Sequence, residues 1–186
     1  MQKCLVILIA LACFADAGSV ALNEYMTLEW DFLEDDSINF ELTLTQAFYQ
    51  QTGYCYVGFN DEEDYYGGDY VLELKNVETK DCYGVDEDEI IPNSDVSMGG
   101  TNDIVDSINY VEDVDYLYIT WNRVPVTGDE YDEDLIEGQD YYVYWGYGDI
   151  DEFGKPVDPT DDGHVQITLS GDYSGTSSTS FLNFAR

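Results

Sequence analysis

Positive charge is scarce in this sequence. Six Lys and Arg stand against 40 Asp and Glu, for a formal net charge of -34. A chain so acidic is repelled by phosphate backbones, which excludes nucleic acid as a partner, and anionic membrane surfaces are disfavoured for the same reason. Histidine is almost absent as well: His164 stands alone, so paired-histidine zinc sites are excluded. There is no Gly-x-Ser-x-Gly elbow and no glycine loop with a lysine to cradle phosphate. Paired carboxylates of the glycosidase kind carry no information where acids are this abundant. Together these absences point away from an enzyme. No Asn-x-Ser/Thr sequon occurs, so N-glycans are not expected. Sustained helical periodicity is missing too, and beyond the first residues no apolar run approaches the roughly 20 residues of a membrane-spanning helix, so no membrane insertion is expected.

What is present begins with a leader pattern. Lys3 is followed by the apolar stretch Leu5 to Phe14 and by Ala15-Asp16-Ala17, whose small alternate residues suit signal peptidase. Residues 1–17 therefore read as a signal peptide, residues 18–170 as one domain and residues 171–186 as a Ser/Thr/Gly-rich tail with a short apolar end. The expected localisation is secreted, extracellular. Cys4 and Cys13 leave with the leader, and the remaining Cys55 and Cys82 form an even pair in an oxidising compartment, predicting a disulfide worth about 3 kcal/mol by loop closure. Two buried free thiols are the alternative. High charge accompanies disorder in many chains, but 44% hydrophobic and 15% aromatic residues belong to a chain that folds.

The patterning is that of strands. Met26, Leu28, Trp30 and Phe32 alternate with polar residues, as do Ile38, Phe40, Leu42 and Leu44, and Glu34-Asp35-Asp36-Ser37 between them predicts a hairpin. Further strands are predicted at 54–59, 70–74, 116–124, 140–146 and 165–169, with an irregular excursion over residues 76–103. Short strands at this density predict an all-β fold, an antiparallel β-sandwich of immunoglobulin-like architecture.

Several runs, in order along the chain, resemble the DOMON family: Trp30, then Gly53-Tyr54-Cys55-Tyr56-Val57-Gly58-Phe59, Gly67-Gly68-Asp69-Tyr70-Val71, Trp121-Asn122-Arg123-Val124, Tyr142-Val143-Tyr144-Trp145-Gly146 and Gly163-His164-Val165. The resemblance spans roughly residues 25–170 and implies a sandwich with a pocket for haem or sugar. In its haem-binding members a Met and a His hold the iron. Those positions fall here on or near Tyr66 and on Asp158 or Pro159, so the expected haem ligands are missing. Met98 and His164 are the substitutes to weigh. The resemblance places loops Asn60 to Asp69 and Val157 to Gly163 at the pocket mouth, with Tyr66, Asp69, Trp121 and Arg123 as ligand-binding candidates acting by aromatic stacking and a charged anchor.

Acid clusters recur in the predicted loops, among them Asp129-Glu130 and Asp132-Glu133-Asp134. Calcium takes six to eight oxygen ligands from such loops. Asp61, Glu63, Asp86, Asp88, Asp149 and Asp151 are the calcium candidates, although Asp149 to Thr160 does not complete a helix-loop-helix calcium loop. Tyr141, Tyr142 and Tyr144 are expected on the sheet face opposite the aliphatics, where exposed rings stack on sugars or form protein contacts; the alternative is that both faces are packed, with the tyrosine hydroxyls at the rim. The function expected is a secreted, non-catalytic binding module for a carbohydrate or small ligand, with calcium as a compatible ion. The alternatives are a structural subunit of an extracellular coat or filament, in which copies of the chain are the partners, and a haem electron-transfer domain.

Overall fold

The computed structural model describes residues 18–75, 78–85, 91–110 and 115–170, so the leader and the tail both lie outside the described residues. Eleven strands and two single-turn helices follow one another: β1 Gly18–Ala21, β2 Met26–Phe32, β3 Ile38–Thr45, α1 Gln46–Tyr49, β4 Tyr54–Asn60, β5 Asp69–Leu74, β6 Glu78–Tyr83, β7 Asn93–Ser94, α2 Asp95–Met98, β8 Val105–Tyr110, β9 Tyr116–Arg123, β10 Asp140–Gly148 and β11 Asp161–Thr168. They form two antiparallel sheets, one ordered β1-β2-β3-β9-β8 and the other β11-β10-β4-β5-β6-β7. The fold is an all-β sandwich.

The predicted hairpin is present with Trp30 opposite Phe40. Its turn closes through the Leu33 N–H donating to the Ser37 carbonyl at 2.8 Å, while the Ser37 hydroxyl donates to Asp35 at 2.6 Å. Alternation sends Leu28, Trp30, Phe40, Leu42, Ile119 and Trp121 of the first sheet inward against Val57, Phe59, Val143 and Ile167 of the second. Phe40 joins the layers, stacking on Trp121 and meeting Phe59, each with ring centroids 5.3 Å apart. Apolar burial of this kind contributes roughly 25 cal/mol per Å². The excursion over 76–103 is more regular than its composition suggests. It contains β6, β7 and α2, since polar side chains at strand spacing can face an interior that is itself polar.

In the middle of the second sheet, β4 and β5 bury both faces. Tyr54, Tyr56, Tyr70 and Tyr144 form a separate aromatic cluster on its outer side, joined by Tyr65 from the β4–β5 loop. Glycines opposite these rings make room for them. Gly58 faces Tyr70 and Gly146 faces Tyr56 across adjacent strands, and a β-carbon at either glycine would run into the facing ring. Tyr142 and Tyr144 lie on this outer side as predicted, but Tyr141 points into the main core, because its parity on β10 is that of Val143 and Trp145.

The predicted Cys55–Cys82 disulfide is corrected by the register. Both thiols are free and buried. Cys55 packs in the main core, whereas Cys82, opposite Tyr70, belongs to the outer tyrosine cluster. They point to opposite faces of one sheet, on β4 and β6 with β5 between, about 10 Å apart by strand spacing alone. A disulfide needs Cα atoms within about 7 Å and converging side chains.

Candidate functional site: an acid pocket between the sheets

Along the second sheet the inward positions turn from apolar to acidic. On β5 the same parity that sends Val71 into the core sends Asp69 and Glu73 inward, and on β6 Asp81 stands opposite Val71. Asp69, Glu73 and Asp81 are all buried. Facing them is Arg123, the last inward residue of β9, also buried. Its Nη1 forms an ion pair with the Asp69 carboxylate, and its Nη2 donates to the Glu133 carbonyl at 2.7 Å. Burial lowers the proton affinity of the guanidinium, while Asp132, Glu133 and Asp134 push it back up.

Four further carboxylates converge on this place from outside the strands. Asp95 opens α2 directly after Ser94, which pairs with Cys82, so it stands beside Asp81. Asp103 donates its backbone N–H to Asp81 Oδ2 at 2.6 Å. From the β9–β10 loop come Asp129 and Asp132. Asp129 accepts from the Thr101 N–H at 2.6 Å and the Tyr131 N–H at 3.1 Å, bonds that hold its carboxyl below the usual range. One carboxylate oxygen each from Asp69, Asp81 and Asp132 lie within 4.8 Å of one another, and so do oxygens of Asp103, Asp129 and Asp132.

Asp95 is the unusual member. It is fully buried at 0% exposure, and neither carboxylate oxygen has a hydrogen-bond partner. A buried, unpaired carboxylate is costly. Burial, reinforced by Asp81, Asp132, Asp129 and Asp103, pushes its pKa up to about 8. Both oxygens of Asp132 are likewise shielded from solvent and accept no backbone N–H, with the side chains of Thr127 and Asp103 within reach of them. The two oxygen groups that share Asp132 are of the kind a hard cation takes, and Asp95 belongs to neither.

Of the residues singled out in the sequence, the structure brings Asp69 and Arg123 together. Trp121 is corrected: at 1% exposure it is core, its ring against Phe40, and no ligand can stack on it. Tyr66 stays 50% exposed on the β4–β5 loop. The two loops expected at one pocket mouth leave opposite ends of their strands, because Asn60 pairs with Tyr142 near the start of β10 and Tyr54 with Gly148 at its end. Between them the outer face is filled by tyrosines. The calcium candidates do not gather either. Asp61 and Glu63 are exposed on the β4–β5 loop, with Glu63 3.5 Å from His164. Asp86 and Asp88 lie outside the described residues. Asp149 is exposed, and Asp151 Oδ1 accepts the N–H groups of Phe153 and Lys155 at 2.8 and 2.9 Å, closing a turn. The pocket instead uses Asp81, Asp95 and Asp103, single acids among polar or apolar neighbours that a search for acidic runs passes over. The inward spacing of Thr79, Asp81 and Tyr83 is the signal that could have marked Asp81.

No protein-family model and no curated protein matches the chain. Among solved structures, the cytochrome domain of Myriococcum thermophilum cellobiose dehydrogenase is similar in fold, with a TM-score of 0.51 at 9% sequence identity over 84% of this chain and 83% of that one. The protein thus has a DOMON-like fold.

That neighbour is a cytochrome domain, so the residues here bear testing against haem. Met26 is core at 1% exposure. His164 lies on β11 and Met98 just after β7, at opposite edges of a six-stranded sheet, on the order of 20 Å apart by strand spacing. They cannot hold one iron between them, and axial ligation needs such side chains. His164 and Met98 thus do not fit haem as its axial pair.

Proposed function

We propose that the chain is a secreted, non-catalytic binding module of the DOMON type whose ligand is a divalent cation of the calcium class, held in the acid pocket between β5, β6, α2 and the β9–β10 loop. The observation that carries this reading is Asp95, wholly buried with both oxygens unbonded and facing other carboxylates. Without a cation such a group is held in its protonated form, and a bound cation would take the proton's place. An all-oxygen ligand set contributed by separate, loosely constrained segments suits calcium's high and flexible coordination better than the strict octahedron of magnesium. Secretion, expected from the leader pattern, fits as well, because extracellular modules bind calcium at about 0.1–1 mM. Arg123 serves as the resident counter-ion that keeps Asp69 paired.

Thermal unfolding in chelator and in millimolar calcium or magnesium tests the reading. Ligand at ten times its Kd stabilises by about 1.4 kcal/mol, a rise of several degrees for a domain of this size. Calcium is expected to raise the Tm of the wild-type chain, and Asp95→Asn, which removes one buried charge while keeping the side chain's shape, is expected to lose the response. A Tm indifferent to every divalent cation tested would overturn the proposal.

A further inference from the structure

We propose that the pocket takes two calcium-class cations side by side, with the Asp132 carboxylate bridging them. This rests on the reading of the pocket as a cation site and specifies how it is filled. Asp132 belongs to both oxygen groups, one with Asp69 and Asp81 and the other with Asp103 and Asp129. An ion 2.3–2.6 Å from each ligand suits either group, since the oxygens of each lie within 4.8 Å of one another.

The state of Asp132 itself supports the bridge. Both its oxygens are sealed from solvent and accept no backbone N–H, as a carboxylate needs if it is to offer one oxygen to each ion. A carboxylate serving a single ion could leave its second oxygen to a backbone N–H, as Asp129 leaves Oδ1 to Tyr131.

Charge points the same way. Asp69, Asp81, Asp95, Asp103, Asp129 and Asp132 are opposed within the pocket by Arg123, which is paired to Asp69. A single divalent ion would leave a marked excess of negative charge where buried Asp69, Asp81 and Asp95 meet part-exposed Asp103, Asp129 and Asp132, whereas two ions bring the pocket near neutrality. One ion then lies among Asp69, Asp81 and Asp132, and the other toward Thr101, whose hydroxyl oxygen lies 2.5 Å from Asp103 and 3.0 Å from Asp129.

Native mass spectrometry of the full chain titrated with calcium counts the ions directly, with a parallel calorimetric titration following affinity. The wild type is expected to saturate at two ions. Asp103→Asn is expected to keep one, and Asp132→Asn to lose or weaken both together. Near-UV circular dichroism checks that each variant is folded, and if Asp132→Asn is not, the wild-type count and Asp103→Asn decide. Saturation at one ion that still raises the Tm overturns the two-ion arrangement while leaving the cation site standing. Two ions retained at full affinity in folded Asp132→Asn overturns the bridge. Binding of no ion overturns both this inference and the reading beneath it.

Discussion

Glu73 offers a sharp test of how this sandwich stores acid in its interior. Its side chain lies between the sheets at 2% exposure, accepting from the Thr79 hydroxyl at 2.7 Å and from Asn109 Nδ2 at 2.6 Å. Through Asn109 it ties edge strand β8 to β5. Burial raises its pKa from the ordinary 4.5 to about 7, the two hydrogen bonds opposing the rise. Because the folded carboxyl holds its proton more tightly than the unfolded one, the stabilisation is fully present below about pH 4.5 and is lost as pH climbs through 7. The loss reaches about 1.4 kcal/mol per pH unit at its steepest, and so about 3 kcal/mol between pH 4.5 and 8. Glu73→Gln keeps the shape and a carbonyl acceptor for Asn109, and its amide can donate to the Thr79 hydroxyl. Urea unfolding of both chains at pH 5 and pH 8, in chelator throughout, measures the difference of differences, which cancels the other carboxyls. The wild type is expected to lose about 3 kcal/mol more than Glu73→Gln across that interval. Equal pH dependence in the two chains would refute the assignment of Glu73 as a buried, proton-retaining group.

Cys55 and Cys82, both buried and with burial pushing both thiols well above their usual range, should resist a thiol reagent in the native protein and react after denaturation without prior reduction; a pair that reacts only after reduction would show the disulfide that the register forbids. Gly146→Val should destabilise by about 1–3 kcal/mol in chemical unfolding, as overpacked sites do, because its side chain would meet the Tyr56 ring, and unchanged stability would mean that the ring has room to move.

The sequence by itself determined the sandwich. Period-two alternation in β2, β3, β9 and β10 requires one apolar face per strand, two such faces must cover each other, and the polar turn at 34–37 places β2 beside β3. The family resemblance of its motifs also pointed to Asp69 and Arg123, which the fold pairs. The sequence did not determine which acids meet. Asp81, Asp95, Asp103 and Asp132 are separated along the chain, and nothing local distinguishes them from the many solvated carboxylates around them, since burial is a property of the packed layers. The same holds for the cysteines and for Trp121. An even cysteine pair in a secreted chain suggests a bridge and an exposed-looking aromatic suggests a stacking surface, but strand order put the thiols on opposite faces of one sheet and closed the second layer over the indole. Tertiary structure alone decided that the polar end of the sandwich, and not its tyrosine-covered face, gathers Asp69, Asp81, Asp95, Asp103, Asp129 and Asp132, because chain packing there takes carboxylates out of water without giving all of them partners.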